Sequence, residues 1–149
     1  MSSDLHFREV IRPPLWLVAF ISMLLASLVI AVWAAFTNAA ASYTAIASIF
    51  ILAAFYRANT HRIEVDSKEL RIDLAHIELT YLGEVALLPQ EVFLIERTRN
   101  FNPAAYPAII YWVPKGIKVE IKDERDPTPY WLISTKRGEE LSALLANRL

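Results

Sequence analysis

The stretch PPLWLVAFISMLLASLVIAVWAAFTNAAASYTAIASIFILAAFY, residues 13–56, runs for 44 residues without one charged side chain. Arg12 closes it on one side and Arg57 on the other. A helix needs about 20 apolar residues to cross a bilayer, so the run holds two passes and a tight turn. The first pass, from about Leu15 to Phe36, spans roughly 33 Å of helix. The second, from about Ala39 to Tyr56, is shorter. Thr37 and Asn38 form the polar break, and so short a connection makes the two helices antiparallel neighbours.

Flanking charge gives the orientation. Arg8, Arg12, Arg57 and Arg62 all lie outside the hairpin ends, and the connecting turn is uncharged. The positive-inside rule then puts both termini and the remaining chain in the cytoplasm, at the cell membrane. Trp16, Trp33, Phe36, Tyr43, Phe55 and Tyr56 fall near the expected interfaces, where amphipathic rings settle. A secretory signal with Ala39-Ala40-Ala41 as its cleavage site is the rival reading. Against it, the apolar stretch exceeds the 7–15 residues of a signal core, and a second apolar segment follows directly. Ser27, Ala31 and Ala35, with Ala41 and Ala45, form small-residue faces that let backbones approach in lipid. They either pack the hairpin internally or offer a homo-oligomer contact. No ionisable group lies within either span, which argues against a proton or ion pathway.

The chain has 149 residues and a formal net charge of −1. From residue 57 onward, 13 basic side chains meet 14 acidic ones. This balance argues against nucleic acid, which favours a basic face, and against strong docking to anionic lipid. With no cysteine, disulfides, thiolate metal sites and cysteine nucleophiles are excluded. The expected organisation is an N-terminal segment (1–12), a two-helix transmembrane hairpin (13–57) and a small cytoplasmic domain (61–149).

In that last region the hydrophobic period changes to two. Ile63 and Val65, then Leu70, Ile72 and Leu74, then Ile77, Leu79 and Tyr81, and finally Ile117, Val119 and Ile121 alternate with polar neighbours, as half-buried strands do. Turns are expected at Asp66-Ser67-Lys68, at Gly83, at Pro114-Lys115-Gly116 and across Asp123 to Pro129. The Pro114–Gly116 turn should join Ile109–Val113 to Ile117–Lys122 as a hairpin. A helical period returns at Leu141, Leu144, Leu145 and Leu149, with Ser134 or Thr135 as cap, Glu139 and Glu140 at the positive end and Arg148 in the last turn. The expected fold is a membrane α-helical hairpin followed by a small antiparallel β domain of six or seven strands, closed by a C-terminal helix. By fold analogy this is pleckstrin-homology-like.

The segment Asp126-Pro-Thr-Pro-Tyr-Trp-Leu-Ile-Ser-Thr135, continued by Lys-Arg-Gly-Glu-Glu-Leu141, resembles the signature of an actinobacterial membrane family, domain-of-unknown-function family 3093. Gly116-Ile-Lys-Val-Glu-Ile121, Gly83-Glu84-Val85 and Phe7-x-Glu9 followed by Pro13, Pro14 and Trp16 extend the likeness over nearly the whole chain. Phe7 departs from the tyrosine that the resemblance implies. The resemblance implies two membrane helices and a cytoplasmic β domain, and it carries no activity.

Candidate sites are sparse. Asp123-Glu-Arg-Asp126 gathers three carboxylates but lacks the glycine, ligand spacing and distal glutamate of a calcium loop, so a solvated turn is the plainer reading. Pro127 and Pro129 lead rigidly into Tyr130 and Trp131, which either fill the core or line a recognition groove. Arg97 and Arg99 precede the irregular stretch around Phe101, with Tyr111 and Trp112 beyond it. These aromatic residues could dip into the bilayer interface or meet a partner, and the arginines could meet a lipid phosphate. His6, His61 and His76 match no metal or triad spacing, and three glycines cannot build a phosphate-cradling loop.

The reading that follows is a non-enzymatic, membrane-anchored interaction module without cofactor or metal, binding a protein or lipid partner. Its candidate partner-binding residues are Arg97, Arg99, Phe101, Tyr111, Trp112, Tyr130 and Trp131. The alternative is an accessory subunit of a larger membrane transport or envelope-assembly complex, with the hairpin as the interface. An enzyme acting on a lipid or envelope precursor is the third reading, disfavoured because no nucleophile–base constellation is present.

Overall fold

The computed structural model describes residues 5–147. The chain divides into two units: Ile11–His61, and the remainder, in which the segment up to Val10 joins Arg62 onward.

The first unit is a pair of helices, α1 (Leu15–Ala35) and α2 (Asn38–Ala58), each 21 residues long. Both are long and apolar enough to cross a membrane. Thr37 caps α2 by accepting a hydrogen bond from the Ala40 amide at 3.2 Å. Trp33 Nε1 donates to Asn38 Oδ1 across the turn at 2.8 Å. The second helix runs past the expected end at Tyr56. There the Phe55 carbonyl accepts from both the amide and Nδ2 of Asn59, and Thr60 Oγ1 donates to the Tyr56 carbonyl, so side chains help close the last turn. Ser22, Ser27, Ser42 and Thr44 each donate to the carbonyl four residues back, so their hydroxyls are satisfied within their own helix.

The helices meet along a heptad-like face. Val18, Ser22, Leu25, Val29 and Val32 are half-buried on α1; Ala41 and Ser48 are buried on α2, with Ala45 and Leu52 half-buried beside them. Ala41 and Ala45 thus serve the packing expected of them. Ser27, Ala31 and Ala35 do not, since all three are exposed. Ser27 lies two residues, about 200° of helix turn, from Leu25, which carries its row away from the partner helix.

The second unit carries two four-stranded sheets. The first comprises β1 (Phe7–Ile11), β2 (His61–Val65), β3 (Glu69–Ile72) and β4 (Ala75–Glu78), in that spatial order. Strand β1 draws part of the expected N-terminal segment (1–12) into this sheet. Phe7, Glu9 and Ile11 are buried while Arg8 and Val10 are exposed, and a glutamate at the central inward position masks the period. The turn at Asp66 forms as expected: its Oδ1 accepts from the amides of Lys68 and Glu69, each at 2.8 Å. These two amides, more than any other influence, hold the Asp66 carboxyl below the usual carboxylate range.

A short 3-10 turn (Leu79–Tyr81), where alternation suggested strand, leads into β5 (Leu82–Leu88). Gly83, expected at a turn, lies inside β5 beside a register shift between Leu82 and Val85. Then follow α3 (Gln90–Thr98), β6 (Tyr106–Ala108), β7 (Gly116–Ile121), β8 (Tyr130–Ser134) and α4 (Gly138–Ala146). The second sheet has the order β5-β7-β8-β6. The expected hairpin of Ile109–Val113 with Ile117–Lys122 does not form. Instead β7 pairs antiparallel with β5 and β8, while the chain before Pro114 leaves β6, which pairs parallel with β8. Residues 109–113 are irregular, and Ile110 is pinned by its amide donating to Ser134 Oγ at 2.9 Å.

That bond also removes Ser134 as a helix cap, and no side chain caps α4. Thr135 Oγ1 accepts from the Arg137 amide at 3.1 Å and donates to Glu9 Oε2. Leu141 and Leu145 are buried and Leu144 half-buried, as the period requires. Arg148 and Leu149 lie outside the described residues. Helix α3 was not expected, because Val92-Phe93-Leu94-Ile95 is an unbroken apolar run. Only Phe93 is fully buried, and it joins Leu88, Ala105, Tyr130 and Leu132 in the core.

Candidate functional site

Tyr130 and Trp131 are core residues of β8 rather than the lining of a groove. Both rings are buried. Tyr130 Oη accepts from the Asn102 amide at 2.9 Å, and Lys118 Nζ sits 4.3 Å from the centre of its ring. Trp131 packs on Tyr106 with ring centres 4.7 Å apart and planes inclined by 42°. Two prolines fix the approach and β8 then pairs on both sides, so these aromatic faces are taken up by packing.

The other five candidates differ in exposure. Phe101 is half-buried against the Phe93–Tyr130 cluster. Arg99 ends α3 and is exposed. Arg97 and Trp112 are half-buried, and each buries one nitrogen, Nη1 and Nε1, that meets no hydrogen-bond partner in the structure. Tyr111 is 85% exposed. Glu96, beside Arg97, is bound to Lys118 Nζ at 3.0 Å. That bond, chiefly, lowers the Glu96 carboxyl from its ordinary value.

The acidic loop is internally satisfied. Asp123 Oδ1 accepts from the amide and Nε of Arg125 at 3.0 and 3.2 Å. Arg125 also donates to Tyr81 Oη at 2.8 Å, and Asp126 Oδ1 accepts from the Thr128 amide at 2.9 Å. These partners shape a turn, led by the Arg125 amide, which with its guanidinium holds the Asp123 carboxyl low. Among the described residues no cluster of His, Asp and Glu is placed to hold a metal ion.

One concave feature was not anticipated. An open cleft of about 540 Å³ is lined by Leu87–Gln90, Lys115–Gly116 and Thr135–Glu140. The first turns of α3 and α4 both border it, and neither helix has a side-chain cap. Uncapped amides and the helix dipole favour negative charge at such ends. Lys115 and Lys136 flank the cleft and are exposed. Arg137 is occupied: it bridges Glu140, donates to the Arg8 carbonyl at 3.0 Å and lies 4.7 Å over the Phe7 ring. Glu139 and Glu140 temper the positive field.

The cleft requires its glycine. A Cβ on Gly116 would stand 1.9 Å from the Ile133 carbonyl oxygen. The lining comes from three separated segments, which hides it from a linear reading. The one legible signal is a pair of basic–glycine steps, Lys115-Gly116 and Arg137-Gly138. Chemically, the arrangement can hold a carboxylate or phosphate through cations and backbone amides.

A family model described as "Protein of unknown function (DUF3093)" matches residues 6–145, nearly the whole chain. No curated protein and no solved structure matches.

Proposed function

The chain belongs to the DUF3093 family of proteins of unknown function, and we propose that it is a non-enzymatic interaction module anchored in the cell membrane. In this reading α1 and α2 cross the bilayer, both termini face the cytoplasm, and the β unit acts as a pleckstrin-homology-like domain at the inner leaflet. The carrying observation is the apolar surface of the helices. No residue of α1 is buried, and Phe20, Leu24, Leu28, Ile30, Ile49 and Phe50 are all exposed. So large an apolar surface needs a lipid or protein environment. Arg12 and Arg57 at its borders favour the inward orientation. Two sheets closed by α4 support the domain analogy, which is one of architecture.

The partner is a protein or lipid that presents an anionic group to the cleft bordered by Lys115 and Lys136. Anchorage confines module and partner to two dimensions, so a weak site suffices. The test is photo-crosslinking in native membranes, with a photoreactive residue in place of Tyr111 and, separately, of Lys136. One dominant adduct at Lys136, lost in a Lys115→Glu variant, is the expected result. Adducts spread evenly over abundant membrane proteins would sink the proposal.

The exposed row Ser27, Ala31 and Ala35 favours a second reading, in which α1 docks against other membrane helices of a transport or envelope-assembly complex, or against its own copy. There, Ser27→Leu with Ala31→Leu should dissolve a stoichiometric complex that the Lys115→Glu variant leaves intact.

A further inference from the structure

We propose that the β3–β4 turn is a second membrane contact, inserting Leu74 into the headgroup region. The inference rests on the membrane reading of α1 and α2 and extends it to the β unit.

Leu74 is 99% exposed, more than any other large apolar side chain described. It occupies a two-residue hairpin turn, since Ile72 pairs with Ala75 across it. Tight hairpin turns favour Gly, Asn and Asp. Asp73 meets that demand, with φ of 54°. Leucine beside it adds nothing to the turn and nothing to the core.

Connectivity says where this turn is held. Asp73 and Arg62 are joined twice: the Asp73 amide donates to the Arg62 carbonyl at 2.9 Å, and the Arg62 amide donates to Asp73 Oδ1 at 2.8 Å. Arg62 is four residues along the chain from Ala58, where α2 ends, a reach of no more than about 14 Å even fully extended. A second tether comes from β1. The His6 amide donates to the Val65 carbonyl at 2.9 Å, so β1 begins beside the far end of β2 and ends at Ile11 toward its near end. Leu15, the start of α1, follows four residues later. The sheet end that carries Leu74 is therefore the end at which the chain leaves for α1 and returns from α2.

Charge suits the same level. Arg12, Arg57 and Arg62 are exposed near this end of the chain path, where cations meet lipid phosphates. The Asp73 carboxylate, which an anionic surface would repel, is engaged with the Arg62 amide. Arg62, whose backbone bonds to the same turn, adds a cation to this apolar tip, a pairing that suits an interfacial anchor. The turn Asp66–Lys68 at the opposite end of β2 carries no apolar residue.

The chain has no cysteine, so a single introduced thiol reports one position. The full chain, carrying Leu74→Cys, Ser67→Cys or Ile49→Cys, is spin-labelled and reconstituted in phosphatidylethanolamine–phosphatidylglycerol vesicles. Accessibility to oxygen is compared with accessibility to a water-soluble nickel chelate. The expected oxygen-to-nickel ratio is high at position 49, low at 67, and at 74 several-fold above that at 67. A ratio at 74 equal to that at 67, with 49 still high, overturns this inference and leaves the membrane reading standing. A low ratio at 49 as well removes both.

Discussion

Glu9 is the residue on which the β unit turns. It is 7% exposed, inward-facing on an edge strand, and its two oxygens accept from Thr135 Oγ1 and from the Lys136 amide. It therefore ties the first strand to the last sheet residues and to the approach of α4. Removing a buried acceptor strands its donors, which costs about 1–3 kcal/mol. Glu9→Ala should destabilise the chain by about 2 kcal/mol on that basis, and Glu9→Gln by less. Tryptophan fluorescence during thermal unfolding in mild detergent reads the difference, and equal midpoints for wild type and Glu9→Ala would remove Glu9 from this role. Asp66 gives a pH signature. Its folded-state value is depressed by the Lys68 and Glu69 amides. The stability it contributes is therefore fully present above its unfolded value, near 4, and is lost as pH falls through the lower folded value. Wild type should lead an Asp66→Asn variant in stability above about pH 5 and lose that lead progressively as pH falls below the unfolded value of about 4. Parallel pH profiles would contradict the assignment.

At the scale of elements, close approach decides which positions tolerate change. Strand β7 lies between β5 and β8, and Gly116 opens it with the Ile133 carbonyl and Phe93 ring directly over its Cα. Neither the backbone nor a fully buried phenyl ring can yield easily, and overpacking of this kind costs about 1–3 kcal/mol or more. Nearest a Cβ on Gly83 are the Lys122 chain, which can swing aside, and Glu120 Cβ at 3.0 Å, which needs to shift by only a few tenths of an ångström. Gly116→Ala should lower the unfolding midpoint sharply and shift amide resonances of β7 and β8, while Gly83→Ala stays near wild type. The reverse order would show that the register shift in β5, rather than the tight start of β7, demands glycine. Helix α3 buries only Phe93 fully, and Glu96 ties it to β7 through Lys118, which together hold a helix too short to stand alone.

For the whole molecule, the β unit is discontinuous in sequence. The chain supplies β1, departs through 49 residues from Arg12 to Thr60, and returns as β2. Replacing residues 12–60 by a flexible Gly/Ser linker should leave a water-soluble domain that unfolds in one cooperative step. A chain beginning at His61 lacks Phe7, Glu9 and Ile11 and exposes β2 as an unprotected edge, so it should aggregate or unfold at lower temperature. Equal stability of the two variants would mean that β1 is dispensable.

The sequence by itself determined the helical pair, because an uncharged run of that length has no other economical use and because Thr37-Asn38 interrupts it with polar groups. It also determined β2, β3, their Asp66 turn and the C-terminal helix, whose periods and turn chemistry are local. Tertiary structure alone decided the rest. Glu9 hid β1, since its inward carboxylate is acceptable only once Thr135 and Lys136, more than a hundred residues away, arrive to satisfy it. Residues 109–113 have strand composition, yet β7 takes β5 and β8 as partners and leaves them unpaired. The apolar run Val92–Ile95 gave no helical signal, and α3 is fixed only when Phe93 enters the core. Tyr130 and Trp131 suited a core better than a groove by composition, and pairing on both sides of β8 enclosed them. The cleft could not be read from any one segment, because its cations and helix ends are assembled from three stretches that only the fold brings together.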